Sequence, residues 1–151
     1  MKSVVVITLF AFFVAGLAGC SSNHSGPPIS TPTLVPANHV YTSVDDLAFD
    51  LTAHGFQCEP APAQTNSEAS HSSCTIPGGV RVRLSIWRTI DLAQKGIAAT
   101  LDYSKYTAGI NNETLAFVVG PTNWLLDFDR SAEGLRKAQE IMPVFDGATL
   151  N

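Results

Sequence analysis

Of the 151 residues, 45% are hydrophobic and 15% charged; 9 Lys and Arg stand against 13 Asp and Glu, a net charge of −4 with His neutral. The cations form no block, which argues against nucleic acid as a partner, because phosphate recognition needs clustered Lys and Arg. It argues equally against electrostatic docking on anionic lipid.

In chain order, Lys2 precedes an uncharged apolar run from Val4 to Leu17. A basic start, a short apolar stretch and small residues at its end are the parts of a secretory signal peptide. A spanning helix needs roughly 20 apolar residues and this run is shorter. The run closes on Leu17-Ala18-Gly19-Cys20, which resembles the lipobox of bacterial lipoproteins. The resemblance implies that residues 1–19 are removed and that the Cys20 thiol takes a diacylglycerol. Cys20 would then be the lipidation site and anchor the chain in the cell membrane, facing away from the cytoplasm. At least two acyl chains would hold it, where one binds only marginally. The competing reading is a plain anchor helix with an incidental cysteine.

Residues 20–40 are rich in Ser, Thr, Pro and Gly and, with His neutral, carry no charge. Such a stretch cannot bury enough apolar surface to offset its ordering entropy, so it reads as a disordered tether. Residues 41–151 are long enough for one domain.

Within that domain Ser43-Val44-Asp45-Asp46 predicts a helix start, with Ser43 as cap and Asp46 at the capping-box position. Val44, Leu47, Ala48 and Leu51 form its apolar face and Gly55 its stop. Phe56-Gln57-Cys58 and Ser73-Cys74-Thr75-Ile76 are short strand candidates, and Pro77-Gly78-Gly79 is a turn. Val80–Trp87 alternates, with Val80, Val82, Leu84 and Ile86 facing a core and Arg81, Arg83, Ser85 and Trp87 facing water. Thr89 caps a second helix through Ile90, Ala93, Ile97 and Leu101, weakened by Gly96. Leu115–Val119 and Trp124–Phe128 read as a hairpin across Gly120-Pro121-Thr122-Asn123. Asp129 or Ser131 opens a last helix with Leu135, Ala138 and Met142 on its inner side. The order α-β-β-β-α-β-β-α predicts an α+β domain: an antiparallel sheet of about five strands with helices packed on one face.

These parts together resemble small secreted lipoproteins of actinobacteria, mycobacteria in particular. The matching features are the lipobox, the Ser/Pro-rich tether, Ser43–Leu47, the cysteines Cys58 and Cys74, and Val118–Trp124. The resemblance implies a location but no catalytic residues. Related lipoproteins of phages and prophages, some of which block superinfection, give one alternative.

With Cys20 acylated, Cys58 and Cys74 are the remaining cysteines, and outside the cytoplasm an even pair reads as a disulfide. It would stabilise by roughly 3 kcal/mol in the chain-entropy model. A zinc site of His54, Cys58, His71 and Cys74 is the sharper alternative. Arg81, Arg83 and Trp87 could form a platform for an anionic or carbohydrate ligand, Arg supplying charge and Trp a stacking surface. The plainer alternative is a solvated strand face with an aromatic lid against the next helix. Asp127 and Asp129, at i and i+2, could do acid–base work or hold calcium, but cap formation and pairing with Arg130 account for them more simply. Ser85 and the histidines match no nucleophile motif. No metal or cofactor is therefore expected, and no catalytic residue is assigned. The expected function is a binding module for an envelope protein or glycan, the alternative a small extracytoplasmic enzyme. An enzyme would gather Asp127, Asp129, His71 or His54 in one concave pocket, whereas a binding module would leave them scattered.

Overall fold

A computed structural model of the chain describes residues 33–151; the expected signal peptide, Cys20 and most of the expected tether lie outside the described residues. The domain is α+β, a six-stranded antiparallel sheet with three helices. The elements are α1 (Val44–Ala53), β1 (Gln64–Thr65), β2 (Ala69–Ile76), β3 (Val80–Trp87), α2 (Ile90–Asn111), β4 (Phe117–Val119), β5 (Trp124–Phe128), α3 (Ala132–Ile141) and β6 (Thr149–Leu150). The sheet order is β1-β2-β3-β5-β4-β6.

The caps form as their residue types dictate. Ser43, Thr89 and Ser131 each accept a hydrogen bond from a first-turn amide, at Asp46, Leu92 and Gly134 respectively, satisfying donors that a helix start leaves unpaired. The β2–β3 hairpin turns at Pro77-Gly78-Gly79, where both glycines adopt positive φ (102° and 77°), the region that L side chains avoid.

The first face of the sheet carries the main core. Val80, Val82, Leu84 and Ile86 of β3 meet Trp124, Leu126 and Phe128 of β5, Val44, Leu47 and Leu51 of α1, and Ala138 and Ile141 of α3. Helix packing departs from the one-face expectation, because α2 lies on the opposite face. There Ala93, with Leu92, Ile97 and Leu101, covers Ala69, Trp87, Phe117 and Leu125. The physical reason is that β4 and β5 are apolar on both sides, as two-sided burial requires, so the second face needed a cover. Gly96 permits the close approach: a Cβ there would overlap the indole of Trp87.

Two boundaries also move. The first strand is Gln64–Thr65 and not Phe56–Cys58. Phe56 N–H bonds Leu51 O and Cys58 N–H bonds the Thr52 hydroxyl, which folds that segment back on the end of α1. The tether expectation ends too late, for Val35 is 7% exposed, its N–H bonds Val144 O and its carbonyl accepts from Asp146 N–H. Asn123, 1% exposed, fastens the entering chain further. Its side chain accepts from Tyr41 N–H (3.0 Å) and donates to Tyr41 O and Trp87 O (both 2.8 Å). A buried amide satisfied in this way rigidifies what it joins.

Cys58 and Cys74 are disulfide-bonded, with Cα atoms 5.3 Å apart. The bond ties the irregular segment after α1 to β2, helped by Ala61 N–H to Ser73 O (2.9 Å) and the Ser72 hydroxyl to Ala61 O (2.5 Å).

Candidate functional site

Helix α2 covers only one end of the second face. Alternation along the strands puts His71, Ser73, Arg81, Arg83 and Asp127 on the uncovered remainder. They line a basin of about 730 Å³, walled on one side by Ala61, Pro62 and Gln64 and on the other by Asp129 and Arg130. That volume falls in the range of small-ligand sites.

Arg81 and Arg83 are both exposed. Among the described residues neither makes an ion pair, whereas Arg130 and Arg136 do. Arg130 pairs with Glu113 and donates to the Thr107 hydroxyl (3.0 Å), so it is committed to α2 and its exit loop and not to Asp129. Asp129 is itself engaged, accepting from Arg81 N–H (3.0 Å) and from the Ser131 hydroxyl (2.5 Å). Asp127 is half-buried directly opposite Arg83. Burial pushes its carboxyl above the ordinary carboxylate range, against the pull of Arg83, Arg130 and Arg81. On β2, His71 lies with Nδ1 2.9 Å from the Ser85 hydroxyl oxygen, its ring edge-on to Trp87. Burial, and then the Arg83 charge, push its imidazole below the ordinary value and favour the neutral form.

The basin therefore collects Asp127, Asp129 and His71, which the sequence marked as the ingredients of an enzyme; His54 stands apart. Their spacing does not make an acid–base pair. His71 opposes Ser85 and Asp127 opposes Arg83, which at usual strand spacings sets their Cα atoms roughly 12 Å apart, and the His71 ring is turned to Ser85 and Trp87. Ser85 is 4% exposed and sits under His71, closed to a substrate. What the basin presents to solvent is the unpaired guanidinium groups of Arg81 and Arg83 beside two partly buried carboxylates, Asp127 and the already engaged Asp129, with the paired Arg130 at its wall.

Trp87, expected on the ligand platform with the arginines, is 6% exposed and lies beneath α2. It acts as the aromatic contact against the next helix. The zinc set is not assembled: both sulfurs are in the disulfide, and the His54 nitrogens lie 2.7 Å from Asp50 O and 3.1 Å from Thr33 O. Among the described residues no three His, Cys, Asp or Glu side chains gather as metal ligands, and no helix is long and apolar enough to cross a membrane.

The sequence reading missed a second hollow of about 340 Å³ against α2, lined by Ala99, Thr100, Tyr103 and Ser104. Arg83, Asp127 and Arg130 line both hollows. The signal available was Tyr103 itself, a large aromatic two residues past Leu101 and off the inward stripe. Comparison with known proteins gives no match to any family model, curated protein or solved structure.

Proposed function

We propose that the protein is a cell-envelope lipoprotein, anchored through Cys20, whose disulfide-stapled domain binds an anionic group of an envelope component in the Arg81–Arg83 basin. The lipobox resemblance supports the anchor. The Cys58–Cys74 bond supports an oxidising compartment. The observation that carries the binding reading is the pair of exposed arginines at i and i+2, sharing one concave site with no ion pair of their own among the described residues. Guanidinium groups so placed match the fork geometry of a carboxylate or phosphate.

Acetate and inorganic phosphate titrated into the isotopically labelled exported protein test the reading. Amide resonances at His71, Arg81, Arg83 and Asp127 should shift and saturate, and Arg81→Ser combined with Arg83→Ser should remove the response. Neither arginine side chain packs in the core, so the double variant should stay within about 0.5 kcal/mol per site of the parent. Equal shifts in parent and double variant would refute the reading, and a large loss of stability would make the arginines structural.

A further inference from the structure

The two hollows share Arg83, Asp127 and Arg130 in their linings and so adjoin one another; taken together they make one trough. It runs from Gln64 on the outermost strand, across β2, β3 and β5, to Tyr103 on α2. Four neighbouring strands span roughly 14 Å, more than a small anion needs. Its chemistry is graded along that length. Arg81 and Arg83 provide cationic forks on β3, Arg83 lining both hollows. Asp127, directly across from Arg83 on β5, provides an acceptor beside them. Tyr103, 69% exposed, provides an aromatic ring at the far wall.

Resting on the anionic-ligand reading above, we propose that the trough binds a carboxylate-bearing saccharide, with its carboxylate on Arg81 and Arg83, a ring hydroxyl donating to Asp127, and an apolar sugar face on Tyr103. Each part of such a ligand finds one matching group. A pyranose has an apolar C–H face that stacks on an aromatic ring, and hydroxyls that donate to a carboxylate. A uronic-type carboxylate is a monoanion that a guanidinium grips through two parallel bonds.

Two competing chemistries fit less well. A phosphate dianion would bring two charges against Asp127. An acidic peptide could use the same arginines, but an extended peptide gains much of its affinity by pairing its backbone with an open sheet edge. Here the floor is a sheet face whose backbone groups are spent on β2–β3 and β3–β5 pairing, so only side chains are offered.

The test uses the exported full chain in calorimetric titrations with a galacturonate tetramer, its methyl ester, a tetraglutamate peptide and acetate. The tetramer should bind at least about tenfold more tightly than its ester and the peptide. Tyr103→Ala should weaken it by about tenfold, as loss of one aromatic contact does, and leave acetate binding unchanged. Because Tyr103 is largely exposed, that variant keeps the parent fold. Asp127→Asn should also weaken the tetramer. An ester as tight as the acid, a tighter peptide, or a Tyr103→Ala variant with parental affinity overturns the inference. If acetate still binds in an Arg81- and Arg83-dependent way, the basin reading survives that failure. If no anion binds at all, both fall.

Discussion

Arg83 on β3 and Asp127 on β5 are direct cross-strand neighbours on the half of the sheet that α2 leaves open. Their side chains share a face, yet the pair makes no ion pair at contact distance. The carboxyl is therefore only partly compensated, and its burial outweighs three nearby arginines.

The sign of the consequence follows from linkage. A carboxyl whose folded pKa is raised binds more protons in the fold than in the unfolded chain, so its penalty is absent below its ordinary value of 3.8 and grows as pH rises through the raised one. Asp127→Asn, nearly isosteric with the protonated acid, should melt at a higher temperature than the parent at pH 7. The two melting curves should converge below pH 3.8. A variant less stable at pH 7 would mean that the arginines, not burial, dominate.

His71 acts in the opposite sense. Its folded pKa lies below 6.5, so its contribution is fully present above pH 6.5 and is lost as pH falls through the lowered value. His71→Gln, which keeps a group able to bond Ser85, should show a shallower fall in melting temperature from pH 7 downward. Superimposable pH profiles for parent and variant would contradict this.

Cys58→Ser removes the bond to Cys74. Stability should fall by roughly 2 to 5 kcal/mol, the usual loss for a small disulfide-bonded domain. The irregular stretch at residues 59–63 should become the first site of proteolytic cleavage, because only the bonds of Ala61 to Ser72 and Ser73 then hold it, whereas residues 69–73 stay paired with β3. Denaturant melts and mass mapping of early fragments measure both effects.

Gly96→Ala reverses the ordinary rule for helices. In an exposed helix interior the change stabilises by up to about 1 kcal/mol. Here the added methyl meets the buried Trp87 indole, and overpacking of this kind costs about 1 to 3 kcal/mol. The variant should therefore be less stable by thermal melting, with altered tryptophan fluorescence. A gain in stability would show that α2 is not seated on Trp87.

Cys20→Ala addresses the anchor. In the proposed lipoprotein the variant should remain an uncut precursor and incorporate no labelled fatty acid. Normal cleavage with unchanged membrane retention would leave the apolar run at residues 4–17 acting alone and remove the lipobox reading.

Short-range chemistry was legible in the sequence. The caps at Ser43 and Thr89, Ser131 as one of the two candidate starts of α3, the Pro77-Gly78-Gly79 turn, the two-sided placement of Val80–Trp87 (though Ser85 and Trp87 are buried and not in water) and the apolar pair flanking Gly120–Asn123 all depend on residues a few positions apart, and all are observed. Long-range pairing was not. Nothing local says that β3 will pair with β5 and not β4, yet that choice sets Asp127 beside Arg83 and completes the basin. Trp87 shows the same limit from another side. Alternation placed it correctly on the face of Arg81 and Arg83, but α2, which follows within a few residues, decides that this end of the face is covered. The apolar runs at 115–119 and 124–126 were the available sign that both faces of the sheet are buried there.

Asn123 has a mechanical consequence. A pull arriving along the chain from before Val35 cannot unravel the domain residue by residue from its start. It meets first the two backbone bonds that hold Val35 between Val144 and Asp146, then the Thr122 hydroxyl on His39 O together with the three side-chain bonds by which Asn123 grips Tyr41 and the end of β3. Both must rupture before force reaches α1, so extension of a single molecule from its N-terminal side should record two successive rupture events ahead of helix unwinding, and Asn123→Ala should weaken the second, leaving the Thr122 bond to His39 alone to resist there.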